Sequence, residues 1–239
     1  GERGCLSEIE NKIEIIKADI RDKDSMKEHI NKSDTIFHLA AIDDRKACQK
    51  DYELAFNVNV KGTANILSLC SNMQRFIYMS SNMVYGEARY LPIDELHPLD
   101  GYEPYATTKI SSEYLCKGYN FTNEVPYTIV RNFNTFGPGQ NKSSLIPTLI
   151  AEGLKNNEIE VWAADTVRDF QYIEFFKHRT FNGFDLHFFL VNLKKIYINE
   201  GGLEKIFNDG FKKSNNAANA IVHFRNSFFD HSNLNIRTK

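Results

Sequence analysis

Tyr105 and Lys109, in the run Tyr105-Ala-Thr-Thr-Lys109, are the two side chains whose types and spacing could most directly do chemistry. On a helix, residues four apart lie one turn apart on the same side. A lysine ammonium held near a phenol favours the phenolate and lowers a pKa that is about 10 when unperturbed. Such a pair can serve as a general base near neutral pH. Pro104 suits the first turn of that helix, where its missing N–H costs nothing. Ala106, Ile110 and Tyr114 recur every four residues and predict the buried face. Tyr and Lys four apart also occur on solvated helix faces, so the meaning of the pair depends on the elements that position it.

Those elements alternate. Residues 12–18 read as a strand closed by Asp19-Ile20-Arg21-Asp22, and residues 23–31 as a polar helix. Residues 35–41 form a short apolar run ending in Ala40-Ala41, the pattern of a buried parallel strand. Residues 51–71 predict a helix whose inward stripe is Tyr52, Ala55, Phe56, Asn59, Thr63, Ile66, Leu67 and Cys70. Asn59 is out of place there, because a buried amide needs hydrogen-bond partners. It either ties the helix to a neighbouring strand or touches a ligand. Residues 75–81 predict a strand ending in Ser80-Ser81, ahead of the Tyr/Lys helix, and residues 125–131 a further strand. Residues 145–156 suggest an amphipathic helix. Strand and helix in alternation imply an α/β fold with a parallel sheet and right-handed crossovers. In such sheets ligands bind beyond the carboxyl ends of the strands, where Asp19, Ala40-Ala41 and Ser80-Ser81 fall.

The 239 residues, 42% hydrophobic, are enough for one large domain or one and a half. A net charge of −2 with dispersed Lys and Arg offers no nucleic-acid surface. No apolar run approaches the roughly 20 residues that cross a bilayer, and there is no secretory signal. Cys5, Cys48, Cys70 and Cys116 have no metal-ligand spacing, so no metal is expected. They are expected as reduced, buried thiols of a cytoplasmic protein.

The motifs together resemble the extended short-chain dehydrogenase/reductase family, in particular its NAD-dependent nucleotide-sugar epimerases and dehydratases. The matching stretches are Ala18–Asp22, His38–Ala41, Asn59–Thr63, Ser80–Gly86, Pro92–Glu95, Tyr105–Lys109, Arg131–Pro138 and Arg168–Phe170, covering roughly residues 12–174. The resemblance implies a Rossmann-like, doubly wound parallel sheet that binds NAD, with a small substrate-binding C-terminal part. It makes Tyr105 the base, and Lys109 the residue that binds the nicotinamide ribose and depresses the tyrosine pKa. Ser81 becomes the hydroxyl that hydrogen-bonds the sugar oxygen, although a strand-end serine can equally cap its own loop. Asp19 and Ile20 are implied to flank adenine, and Leu39, Ala40 and Ala41 to pass close to the cofactor. Asn59 matches the family's helix asparagine. Asn134 is implied to contact the nucleotide sugar and Arg168 its diphosphate. An ordinary Arg168–Asp169 pair is an equal alternative for the last. A nucleotide-diphosphate sugar is the implied substrate, and a homodimer the implied assembly of the complete protein.

Two departures qualify these expectations. No G-x-G-x-x-G occurs, although backbone amides of such a turn hold dinucleotide phosphates in this family. The sheet is therefore expected to be N-terminally incomplete, and the chain by itself to bind NAD weakly. The resemblance also stops after Glu174, and the Phe-, Asn- and Lys-rich remainder reads as a shifted frame or a diverged tail. The expected organisation is a partial NAD-binding domain over 1–143, the start of a substrate domain over 144–174, and a divergent tail over 175–239. Family dehydratases carry an Asp-Glu pair directly after the catalytic hydroxyl, where this chain has Asn82 and Met83. Neither can move a proton at a useful pKa, which favours 4-epimerase chemistry. A dehydratase or decarboxylase, or a non-enzymatic domain that binds only a partner subunit, are the competing classes.

Overall fold

Three strands carry the part of the molecule that holds the Tyr/Lys helix. In the computed structural model they are β1 (Thr35–His38), β2 (Arg75–Ser81) and β3 (Tyr127–Asn132). They pair in parallel in the order β1-β2-β3, with Ile36 opposite Phe76, and Tyr78 opposite Ile129. The structure describes residues 12–155, 158–161, 168–173 and 235–238. Contacts divide these residues into two units, one running to Phe133 and the other beginning at Asn134.

In the first unit each crossover is helical, because parallel neighbours cannot be joined by a tight turn. Helix α1 (Lys23–Asn31) starts where Asp22 accepts hydrogen bonds from the Asp24 and Ser25 amides, as an N-cap should. Met26, Ile36, Ile66, Leu67, Phe76, Tyr78, Cys116 and Val125 form the apolar core against the sheet. Phe76 has no exposed surface, and its truncation to alanine would cost about 3–5 kcal/mol. Residues 14–19, in the stretch expected as a first strand, run without a ladder. Alternation marks a possible strand, but a strand exists only beside a partner, and none of the described strands pairs with it.

The crossover from β1 to β2 is α2 (Arg45–Lys50), followed by α3 (Tyr52–Phe56), a π-turn at Asn57–Lys61 and α4 (Gly62–Leu67). Asp44 caps α2 and Asp51 caps α3. Of the expected stripe, Ala55, Asn59, Thr63, Ile66 and Leu67 are buried and Cys70 is half-buried, but Tyr52 and Phe56 are exposed. Gly62 fills a close approach: a Cβ there would stand 2.7 Å from the Ile20 side chain. Helix α5 (Pro104–Asn123) has Pro104 in its first turn and ends at Glu124 in the left-handed conformation.

The face that α5 buries differs from expectation. Ala106 is buried, but Ile110 is only partly so and Tyr114 is 59% exposed. The buried stripe consists of Thr108, Lys109, Ser112, Glu113 and Cys116, next to a half-buried Tyr105. The apolar-periodicity rule missed it because most of its members are polar.

In the second unit, β4 (Asn134–Phe136) pairs in parallel with β6 (Phe170–Tyr172), and β5 (Glu158–Val161) with β7 (Asn235–Thr238). Helix α6 (Leu145–Lys155) lies between β4 and β5 in sequence. Apart from β7, the expected divergent tail lies outside the described residues.

Candidate active site

Tyr105 lies in the first turn of α5 and Ser81 is the last residue of β2. The register that sets Ser81 opposite Asn132 in β3 fixes where its hydroxyl leaves the sheet. Ser81 Oγ accepts the Met83 amide at 3.2 Å and so caps the 3₁₀ turn at Asn82–Tyr85. The Ser81 hydroxyl also acts on the Tyr105 phenol as a hydrogen-bond partner, in the direction that favours the phenolate. The loop-capping role weighed for Ser81 is therefore present.

Lys109 is 4% exposed. Its Nζ donates to the Met79 carbonyl of β2 at 2.8 Å, and lies 5.1 Å from the Tyr78 ring centre and 5.8 Å from that of Tyr105. Burial depresses its pKa to about 8, while the charges of Asp43 and Glu113 work to raise it. The Tyr105 phenol moves upward, against the expectation: burial is the largest cause, Ser81 opposes it, and Asp43 adds to it. Lys109 does not supply the expected depression, because its amine is turned onto the Met79 carbonyl rather than the phenol.

Asn59 is 1% exposed and its amide is used within the protein. Its Oδ1 accepts the Ile42 amide at 2.7 Å, and its Nδ2 donates to the Ile42 carbonyl and to Thr108 Oγ1, both at 3.0 Å. It therefore joins the loop after β1 to α5, one residue from Lys109. His38, at the end of β1, contacts Thr63 Oγ1 through Nε2 at 2.8 Å. The Thr63 hydroxyl donates its own proton to the Asn59 carbonyl, so His38 carries its proton on Nε2. Burial, then the nearby Lys109 charge, lowers the His38 pKa to about 4.

Beyond β1, Leu39 and Ala40 are exposed and Ala41 is half-buried, so the backbone there is open to a ligand. Asp19 is exposed and paired with Arg21 (2.6 Å), which holds its pKa at about 2. Ile20 packs on the core, and its carbonyl accepts from Asn65 Nδ2 at 3.0 Å. Asn134 and Arg168 belong to the second unit. The Asn134 amide donates to the Asp169 carbonyl at 3.0 Å, next to an exposed Arg168.

The sequence reading passed over one group. Glu113 is fully buried one turn beyond Lys109, accepting Ser80 Oγ at 2.6 Å and Arg131 Nη2 at 2.8 Å. Arg131 also reaches the Tyr85 hydroxyl at 3.3 Å and the Glu95 carbonyl at 3.2 Å. A stripe drawn through 105, 109 and 113, instead of 106, 110 and 114, would have found the glutamate.

Residues 2–174 match the model of the NAD dependent epimerase/dehydratase family. The chain belongs to that family. Residues 146–239 also match the model of a protein of unknown function (DUF2400), overlapping the first match up to residue 174. A UDP-N-acetyl-alpha-D-glucosaminuronate decarboxylase of Bacillus cytotoxicus is 34% identical over 177 residues, covering 70% of this chain and 54% of that protein. Among solved structures, a UDP-glucuronic acid 4-epimerase of Bacillus cereus, in complex with UDP-glucuronic acid and NAD, is 28% identical with a TM-score of 0.65. It covers 72% of this chain and 56% of that one. A dTDP-glucose 4,6-dehydratase of Streptomyces venezuelae with NAD bound is 25% identical with a TM-score of 0.66, covering 73% and 56%. The α/β Rossmann-like fold expected from the sequence is therefore the fold of this family member. The chain spans little more than half the length of the curated relatives it matches.

Proposed function

We propose that this family member serves an NAD-dependent nucleotide-sugar 4-epimerase. One observation carries the reading: a tyrosine with a serine hydroxyl beside it and a buried lysine one turn away, with Asn82 and Met83 following the serine. The residues fit the cofactor, since a buried ammonium and an open strand end of small residues suit ribose hydroxyls and a dinucleotide backbone. Lys109 would hold the nicotinamide ribose, Leu39, Ala40, Ala41 and Asn59 would line or support the middle of the cofactor, and Asp19 and Ile20 the adenine end. NAD, when bound, supplies the acceptor and donor of a hydride.

Tyr105, as phenolate, takes the proton of the sugar 4-hydroxyl and later returns it. Ser81 hydrogen-bonds that oxygen and keeps it aimed at the phenol. Contacts of Asn134 to the nucleotide sugar and of Arg168 to the diphosphate are read from the motif resemblance, as is a homodimeric assembly.

The test is incubation of the protein and NAD with nucleoside-diphosphate hexoses, followed by NMR and mass spectrometry. A 4-epimer without a 4-keto-6-deoxy product is expected, and Tyr105→Phe should lower the rate by about 10²–10⁴-fold. A 4-keto-6-deoxy sugar as main product would replace this reading with the second one, elimination by a dehydratase or decarboxylase of the same family. That reading needs a carboxylate near the base, and Asp43 is the one acting on Tyr105.

A further inference from the structure

We propose that Ser112 and Thr63 are positioning residues for the turn that carries Tyr105. From two helices their hydroxyls close on one main-chain carbonyl, that of Asn59, and so hold the loop after β1 in register with the base. The inference deepens the epimerase reading and rests on it for the role of Tyr105.

Asn59 sits at the centre of the π-turn Asn57–Lys61. The Gly62 amide there returns to the Asn57 carbonyl, five residues back instead of the four of an α-helix. Such single π-turns often mark functional sites. The Asn59 carbonyl accepts the Thr63 hydroxyl of α4 and the Ser112 hydroxyl of α5, the latter at 2.9 Å. Ser112 Oγ is also 2.9 Å from the Thr108 carbonyl, so its one proton is shared between α5 and the π-turn. Neither Thr63 nor Ser112 has exposed surface. One donor would satisfy the carbonyl. Two donors arriving from different helices also fix its direction, and with it the aim of the Asn59 side chain.

From this anchored backbone the side chain reaches two ways. It binds both the amide and the carbonyl of Ile42, the residue after the open strand end Leu39–Ala41. It also donates to Thr108 Oγ1, and that hydroxyl donates in turn to the Tyr105 carbonyl at 2.7 Å. Thr63 meanwhile accepts the Nε2 proton of His38, the last residue of β1. A continuous set of hydrogen bonds therefore runs from the end of β1, through the π-turn, to the backbone of Tyr105. Ser112 and Thr63 are the points where α5 and α4 fasten it. They touch neither the phenol nor the lysine amine, so their effect on the base is transmitted through Asn59 and Thr108.

Two measurements test this. Ser112→Ala leaves the Asn59 carbonyl on Thr63, so the variant should fold and melt within about 4 °C of wild type. In ¹⁵N-labelled protein it should speed hydrogen exchange of the Ile42 amide and the Asn59 side-chain amide by about three- to tenfold, the loss of one hydrogen bond. The Phe76 amide, bonded to the Pro126 carbonyl, should not change. Thr63→Val should act in the same direction and Thr63→Ser should restore wild-type exchange, a pair that gives the same comparison if Ser112→Ala does not fold. With NAD and UDP-glucose, Ser112→Ala should lower kcat by about tenfold or more with little change in KM. Unchanged exchange at Ile42 and Asn59 overturns the proposal. So does equal acceleration at Phe76, which would make the hydroxyls part of the general core. Faster local exchange with unchanged kcat overturns it too, because the loop would then loosen without disturbing the base. If wild type does not turn over the sugar, the epimerase reading fails by itself, and the exchange rates still decide the positioning role.

Discussion

Lys109 and Glu113 stand one turn apart on α5, both nearly or wholly buried, and their charges are met in opposite ways. Glu113 lies in a closed network with Ser80, Arg131 and, through Arg131, Tyr85. Lys109 has a carbonyl oxygen, two aromatic rings and the more distant charges of Asp43 and Glu113, but no ion pair with a described residue. A buried ion whose bonds are complete holds elements together, here β2, β3 and α5. A buried ion with a neutral partner keeps a depressed pKa and can rebind to a ligand at little cost. The same helix face holds a fully partnered carboxylate in one turn and an ammonium bound to a neutral carbonyl in the next.

Removing one member of the closed network should have the largest effect. Glu113→Ala leaves the Arg131 guanidinium buried without its partner, and urea unfolding should show a loss of about 3–5 kcal/mol. Replacing both residues with apolar ones should cost far less, and a double-mutant cycle that found simple additivity would break the contrast with Lys109.

His38 supplies an intermediate case, a buried base kept neutral. The unfolded chain binds a proton near pH 6.5, and the folded one only near pH 4. The unfolded state therefore holds more protons in that window, so stability is complete above pH 6.5 and falls as the pH drops toward 4. The total is roughly 3 kcal/mol, and His38→Gln should flatten that part of a pH series of unfolding midpoints.

Lys109→Met should act in the direction opposite to Glu113→Ala. At pH 7 the folded protein carries a desolvated ammonium, so the variant should be as stable as wild type or more so by about 1–2 kcal/mol. With a folded pKa of about 8 and an unfolded one near 10.5, wild type gains stability as the pH rises between them, and the variant's advantage should shrink there. The same variant should lose NAD affinity. A destabilisation as large as that of Glu113→Ala would remove the distinction between the two turns.

The smallest effect is expected from the exposed pair Arg45–Glu103. Arg45→Ala should change stability by no more than about 1 kcal/mol, since the Arg45 side chain is half exposed to solvent. Its thermal melt serves as the baseline against which the buried pair is judged.

Much of this was legible from residue order. The alternation of strands and helices announced a parallel α/β sheet and Pro104 marked the start of α5, because these signals are local. The spacing of Tyr105 and Lys109 also put them on one helix side before any fold was known. Asn59 was visible as an anomaly in an apolar stripe, but both its partners, Ile42 and Thr108, are far away in sequence.

What the tertiary structure alone decided is the electrostatic state of each group. The sequence made Lys109 the agent that lowers the Tyr105 pKa. Packing instead gave its amine to the Met79 carbonyl and left burial, Ser81 and Asp43 to set the phenol. Glu113 and Arg131, eighteen residues apart, became one ion pair through the docking of α5 on β2 and β3. Spacing along a chain specifies which side chains share a face. Burial and the direction of each hydrogen bond depend on what that face is packed against, and only the folded chain supplies that.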